Sequence, residues 1–578
     1  MSHLGTAESN CLRGSFSTRA AGRRRHPAGD VADGITVWVE GQIYNSAEIQ
    51  GKPAGHDCGR HAPGLGCTLR SLYLAYGVDF TRKLDGQFAV VVADHRGPRR
   101  LVAATDRFGV KRLYYAWDPA EQRIRFASEL PSLLGMAGVD IVENEAALDA
   151  YLATGAQLGE NTMFRGVKAL PPETTLLVSQ GAGLRLRPQR EEAEEPTRAD
   201  LTRRPGTRLR ALLHEQLLTL PATDPVAVVT CGRPGAELLA GLAALSGRQL
   251  HVFHGVWATG TRGHTAAEAR PGTSPRATHH RVELRPDSAP ERLWRALDQL
   301  GQPHADPHLL LTHALCCAAQ EAGNATIVAA NGADELFSGH ARVTDALSAP
   351  TGLSWVPGYL DQLAAVPRAL QARLYTAEYA SSLRRHGPSL PVGLTHLLSD
   401  GEYGRARRIL TAELRYLLPA NSLRGLTPLA RSNPLLPYCR PSVVRLATTL
   451  ADRRASPPRA AQAIAEAARG LPTAGPTRPP REVFSPALTR ALVPGRPLGD
   501  MTREVLSDAA LRADGRIRSD QVAALFARQR MQPTAPVART LWALLVHQLW
   551  RHRFFDHARR TPVISESSAS YSHLAPVP

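Results

Sequence analysis

Three short runs dominated by apolar residues constrain this chain most: VAVVT at 226–230, HVFHGV at 251–256 and TIVAA at 326–330. Strands covered on both faces read as near-continuous apolar text, and they belong to parallel sheets flanked by helices. Helical spacing fills the intervals, starting with a helix expected over about Ala236 to Leu245. This alternation predicts an α/β fold with a βαβ-type sheet in the second part of the chain. Beyond 360 almost everything reads as helix.

The first part follows a different pattern. ITVWVEGQIYN from Ile35 alternates apolar residues with others, as a strand does, and LRSLYLAYG (69–77) has helical spacing. FAVVVADHRGPRRLVAATD (88–106) predicts two strands around Arg96-Gly97-Pro98. Residues 112–117 and 123–128 predict a hairpin around Asp118-Pro119. The expected organisation is a flexible lead over 1–34, a strand-rich domain over 35–187 and a charged linker over 188–207. A larger domain over 208–556 and a disordered tail over 557–578 complete it. A chain of 578 residues is long enough for two to four cores, and no internal repeat is evident.

Charge needs a closer look, because a formal +17 suggests a polyanionic partner. Of 69 basic residues only Lys52, Lys83, Lys111 and Lys168 are lysines, and the arginines are spread along the chain without interleaved aromatics. That distribution argues for a compositional bias and against nucleic acid. No run of about 18 apolar residues predicts a membrane span, and the start of the chain has no apolar stretch of signal-peptide length. A cytoplasmic location is the expectation. The seven cysteines are scattered with no CxxC pair, which predicts free thiols in a reducing compartment.

Six segments, in order, carry a family resemblance. LDGQFAVVVAD (84–94) resembles "LDGxFAF", DRFGVKRLYY (106–115) resembles "DRFGIKPLYY", and FASELPSLL (126–134) resembles "FASELKAL". NTMFRGVKALPPE (161–173) resembles "RTIFKGIKKLPPG", NGADELFSGH (331–340) resembles "EGADELFGGY", and TLWALLVHQLWRHRFF (540–555) is similar to a last core helix. Together they resemble the glutamine-hydrolysing asparagine synthetase family. The resemblance implies an N-terminal Ntn-type αββα glutaminase-like sandwich. It also implies a C-terminal pyrophosphatase-loop α/β synthetase domain with a helical C-terminal part. In such families ATP activates a carboxylate as an acyl-adenylate, an amine attacks, and AMP and pyrophosphate leave. Relatives without glutaminase activity, β-lactam synthetases and lasso-peptide macrolactam cyclases, use an amine already in the substrate.

Measured against that family, both sites are altered. The glutaminase nucleophile is a cysteine directly after the initiator methionine; here position 2 is Ser2, and the nearby Cys11 reads as an idle residue of the lead. The family's "NGEIYN" is EGQIYN, so Glu40, Gly41 and Gln42 form a degenerate glutaminase site. A carboxylate at position 40 repels a developing oxyanion, and Gln42 cannot pair with the glutamine amine. No glutamine hydrolysis is expected.

The pyrophosphate loop "LSGGLDSS" is here TCGRPGAE (230–237). Cys231, Gly232, Arg233 and Gly235 are its candidate ATP and pyrophosphate contacts. Pro234 removes one backbone donor, and Gly235 stands in place of the loop aspartate. Asp334 and Glu335 are the candidate Mg²⁺ ligands implied by NGADEL. Residues 169–578 contain no lysine, so Arg459, Arg478 and Arg481 are the candidate substitutes for the catalytic lysine. Two readings follow. One is an AMP-forming carbon–nitrogen ligase using ATP and Mg²⁺ on a peptide or small-molecule carboxylate and amine. The other is a pseudoenzyme that binds or scaffolds a biosynthetic partner protein.

Overall fold

The computed structural model describes residues 11–18, 30–50, 64–189, 204–220, 224–258, 277–324, 326–350, 352–387, 389–400, 403–426, 434–452, 458–471 and 484–556. Ten strands build the first domain: β1 (Arg13–Ser17), β2 (Asp30–Ala32), β3 (Ile35–Ile43), β4 (Gly86–Asp94), β5 (Arg100–Thr105), β6 (Tyr114–Asp118), β7 (Arg123–Ala127), β8 (Val167–Ala169), β9 (Thr174–Ser179) and β10 (Gly183–Pro188). They form an antiparallel four-stranded sheet, β1-β7-β6-β8, and an antiparallel six-stranded sheet, β10-β9-β5-β4-β3-β2.

Strand β4 shows why a sandwich results. Its run of apolar residues is buried on both faces. Ala89, Val91 and Ala93 meet Phe126, Ile124 and Tyr115 of the smaller sheet. Val90 and Val92 pack with Leu69, Leu72 and Tyr73 of the helix Leu65–Tyr76. On the outer face of the smaller sheet, Tyr114, Ala127 and Val167 join Leu148 and Tyr151 of the helix Ala147–Thr154. The layers are therefore helix, sheet, sheet, helix. Each fully buried Val, Leu or Phe contributes about 1.5–3 kcal/mol.

The flexible lead is corrected over two stretches. Leu12 and Phe16 are buried, and β1 pairs along β7 from Arg13 opposite Ala127 to Ser17 opposite Arg123. Strand β2 pairs with β3. Two inward apolar side chains are enough to seat such a short strand, although its text is mostly polar. The free-thiol reading is also corrected. Cys11, Cys231, Cys316, Cys317 and Cys439 are free, but Cys67 is disulfide-bonded. Most of the expected linker and all of the tail lie outside the described residues, and the helix Pro205–Leu218 starts within the linker's span.

In the second domain β11 (Val226–Thr230), β12 (Leu250–Trp257), β13 (Ala277–Leu284) and β14 (Thr326–Val328) form a parallel sheet ordered β13-β12-β11-β14. The order reverses at β11, whose neighbours β12 and β14 lie on opposite sides. Strand β13 had no counterpart in the expectations. ATHHRVEL is polar because it is the edge strand and buries only Leu284. The last core helix, Ala535–Arg551, joins the two domains. Tyr151 Oη donates to the Ala543 carbonyl (3.0 Å), and Phe164 meets Trp550 edge-on at 5.6 Å.

Candidate functional site

The degenerate glutaminase residues lie on β3. Gly41 has φ +105°, and a Cβ there would stand 1.9 Å from the Gln87 carbonyl oxygen, so only glycine fits. Glu40 is paired with Lys111, Oε1 to Nζ 3.2 Å, and Lys111 is nearly buried. The other oxygen, Oε2, is buried without a hydrogen-bond partner among the described residues. Lys111 is positioned by the turn after β5. There the Asp106 carboxylate accepts from the backbone N–H groups of Phe88, Phe108, Val110 and Lys111 at 2.9–3.2 Å. Burial outweighs those four donors and raises Asp106 to about 6. Position 40 thus holds an internal ion pair where an oxyanion-binding group would be needed. Gln42 lies opposite Gln87 in the same sheet.

Cys11 stands just before β1. Its Sγ accepts from Ser128 Oγ at 3.6 Å, and burial raises its thiol above the ordinary range. A protonated, half-buried thiol is a poor nucleophile.

In the second domain a cavity of about 280 Å³ opens at the carboxyl ends of β11 and β14. This is the point of strand-order reversal where parallel α/β sheets take their ligands. Its wall includes Cys231, Arg233, Gly235, Asp334 and Glu335. Gly232 has φ +77°, a conformation that turns the chain into the helix Pro234–Leu245. One loop donor is turned inward, and the first helical N–H groups are satisfied by the N-cap carbonyl. Gly232 N–H donates to Thr230 Oγ1 (2.9 Å), and the Ala236 and Glu237 N–H groups both donate to the Arg233 carbonyl. Gly235 is pressed against Ala333, and its carbonyl accepts from Tyr438 Oη at 3.0 Å.

Arg233 reaches across the cavity to Asp334, Nε to Oδ2 3.2 Å, with the two side chains 31% and 20% exposed. Glu335 points into the protein. It accepts from Ser422 Oγ and stands 3.6 Å from His340 Nε2. Burial alone pushes its carboxyl up, but His340 and Ser422 outweigh burial and hold it at about 2. Among the described residues no group of three His, Cys, Asp or Glu side chains is arranged to hold a metal.

Residues 22–187 match the glutamine amidotransferase domain family, and residues 238–552, more than half of the chain, match the asparagine synthase family. The chain belongs to the asparagine synthase family. Over 100 residues it is 35% identical to the asparagine synthetase [glutamine-hydrolyzing] of Triphysaria versicolor, covering 17% of this chain and 16% of that protein. It is 27% identical over 232 residues to amidase chry2 of Gibberella zeae, covering 38% and 32%. With amidase chyE of Penicillium rubens it shares 28% over 187 residues, covering 30% and 25%. These matches span between about a sixth and a third of the curated relatives' lengths.

The donor set fits a magnesium-bound polyphosphate at one carboxylate and not at the other. Mg²⁺ is ordinarily held by one or two carboxylates plus phosphate oxygens. Asp334 lies on the cavity wall, and an ion pair as exposed as Arg233–Asp334 is worth about 0–1 kcal/mol, so it yields readily. Glu335 is committed to Ser422 and His340. Arg459 lies on the helix Pro458–Ala468 with its side chain outside the described residues, and Arg478 and Arg481 lie outside them altogether.

Sequence reasoning missed the cations that do line the cavity, Arg342 and Arg539. Arg342 is held by Glu413 at 2.9 and 2.7 Å. Arg539 donates to the Leu363 carbonyl at 3.1 Å, and burial lowers it to about 10, still protonated at neutral pH. The only signal for Arg539 was its place at the head of the last core helix.

Proposed function

We propose that this chain is an ATP-dependent carbon–nitrogen ligase of the asparagine-synthetase-like type that works without glutamine hydrolysis. The 280 Å³ cavity at the strand-order reversal carries the reading, because Arg233, Gly235, Asp334 and Arg539 line it. In the proposed reaction a substrate carboxylate oxygen forms a bond to the α-phosphorus of ATP as the bond to pyrophosphate breaks. A substrate amine then bonds to the acyl carbon, and AMP leaves with the oxygen. A magnesium ion held by Asp334 and phosphate oxygens would neutralise phosphate charge. Arg233 is placed to exchange Asp334 for a phosphate, and Arg539 supplies a fixed cation where the chain has no lysine. The Glu40–Lys111 ion pair supports an amine drawn from the substrate rather than from glutamine. A peptide carboxylate and amine, closed as a macrolactam in natural-product biosynthesis, are the proposed substrate class. The reading is tested by substrate-dependent release of AMP and pyrophosphate. It fails if the protein neither binds MgATP nor releases AMP.

A specific observation favours a second reading, a non-catalytic subunit that binds a biosynthetic partner. Gly232 of the phosphate loop has turned its N–H onto Thr230, and Arg233 covers Asp334. Under this reading the protein co-purifies with an intact homologue and leaves ATP unchanged.

A further inference from the structure

A second cluster of arginines lies between the domains and lines a void of its own. Arg112 follows the turn after β5 in the first domain, and Arg424 lies in the second domain, beyond the helix Glu413–Ser422. Both line a small void of about 20 Å³, together with Pro172, Tyr416, Pro419 and a third arginine, Arg415, whose guanidinium lies over the Tyr416 ring. That is room for one water-sized or chloride-sized species.

Arg424 is 2% exposed. Its Nη2 donates to the Gln157 carbonyl at 2.9 Å, while Nε and Nη1 are buried without partners. Arg112 donates to the Pro419 carbonyl through Nη2, and its Nε is likewise buried and unpartnered. Neither guanidinium is ion-paired with a carboxylate among the described residues. Burial and the nearby Arg112 lower Arg424 only to about 9, so it remains a cation at neutral pH. The field of the pair extends to His304, which burial and the two arginines keep neutral, at about 4.

An isolated buried charge is strongly disfavoured, and two of like sign are worse. Water in the void would satisfy the hydrogen-bond donors but would leave the charge uncompensated. We propose that a small monovalent inorganic anion of chloride type binds between Arg112 and Arg424 and joins the two domains. It accepts from the unpartnered guanidinium N–H groups and offsets one of the positive charges at the void.

The probe is chloride, tested on the full chain by calorimetric melting at constant ionic strength with gluconate as the replacement anion. Tm is expected to rise by a few degrees and to saturate with chloride, because a ligand bound only by the folded state stabilises it. Arg424→Met and, independently, Arg112→Met should abolish that increment. Bromide soaked into crystals of the unaltered protein should give an anomalous peak between the two side chains, a readout that does not require either variant to fold. Equal Tm in chloride and gluconate overturns the proposal. So does a chloride increment undiminished in both variants, or the absence of a bromide peak at that position.

Discussion

Replacing Arg233 with alanine separates the stability of the second site from its metal preference. The guanidinium lies 3.2 Å from the Asp334 carboxylate, but the two side chains are 31% and 20% exposed. Pairs this open contribute about 0.2–1 kcal/mol. Arg233→Ala should therefore lower stability by no more than about 1 kcal/mol. The same figure limits how much the ion pair can hinder a cation at Asp334. One kcal/mol corresponds to a factor of about 5 in affinity, given tenfold per 1.4 kcal/mol. Removing Arg233 also takes away a direct phosphate partner, which weakens binding when no metal is present. The ratio of the ATP dissociation constants without and with Mg²⁺ should consequently rise in the variant, by up to about 5-fold from release of the ion pair. Isothermal titration of ATP in Mg²⁺ and in EDTA reads that ratio, and thermal melting reads the stability. An unchanged ratio would refute the assignment of Arg233 as the group competing for Asp334. A stability loss of several kcal/mol would refute the exposure argument.

Three further outcomes are expected. Incubation with glutamine should give no glutamate, and Cys11→Ser should leave ATP-dependent activity unchanged; glutamine hydrolysis sensitive to Cys11→Ser would contradict the relic reading. Arg342→Met should destabilise by about 3–5 kcal/mol, because it strands the fully buried Glu413 with the 2.8 Å bond from Tyr359 as its remaining side-chain donor. Arg342→Met/Glu413→Leu should recover most of that loss in chemical denaturation. Burial lowers His547 to about 3 from an ordinary 6.5, so the folded state stays neutral while the unfolded chain takes up a proton. That contribution is intact above pH 6.5 and is lost as pH falls, by about 1.4 kcal/mol per unit. The decline of Tm between pH 6.5 and 4.5 should be shallower in His547→Gln, and equal slopes would show that the histidine is not buried neutral.

The sequence made the internal strands legible and left the edges obscure. β4 and β11 are covered on both faces, so burial writes itself into their composition. β13 and β1 each satisfy one partner strand, so a few inward residues suffice and the rest of the text stays polar. The site was legible where it is local: Cys231, Arg233 and Gly235 of one contiguous motif and Asp334 with Glu335 of another are brought by the fold to one cavity. The pairing of Arg233 with Asp334 spans a hundred residues and depends on β11 and β14 being neighbours. Arg342 and Arg539 reach the same wall from helices that no local pattern links to it. The inward turn of the Gly232 N–H was also illegible, since it follows from the placement of the Thr230 side chain.

The central claim is that the asparagine-synthase-type cavity still takes ATP although the glutaminase half is a relic. Equilibrium titration of the full chain with ATP in Mg²⁺ tests this most directly. The account predicts one ATP per chain, with affinity reduced by Asp334→Asn and by Arg539→Met. The absence of any saturable ATP binding would contradict it.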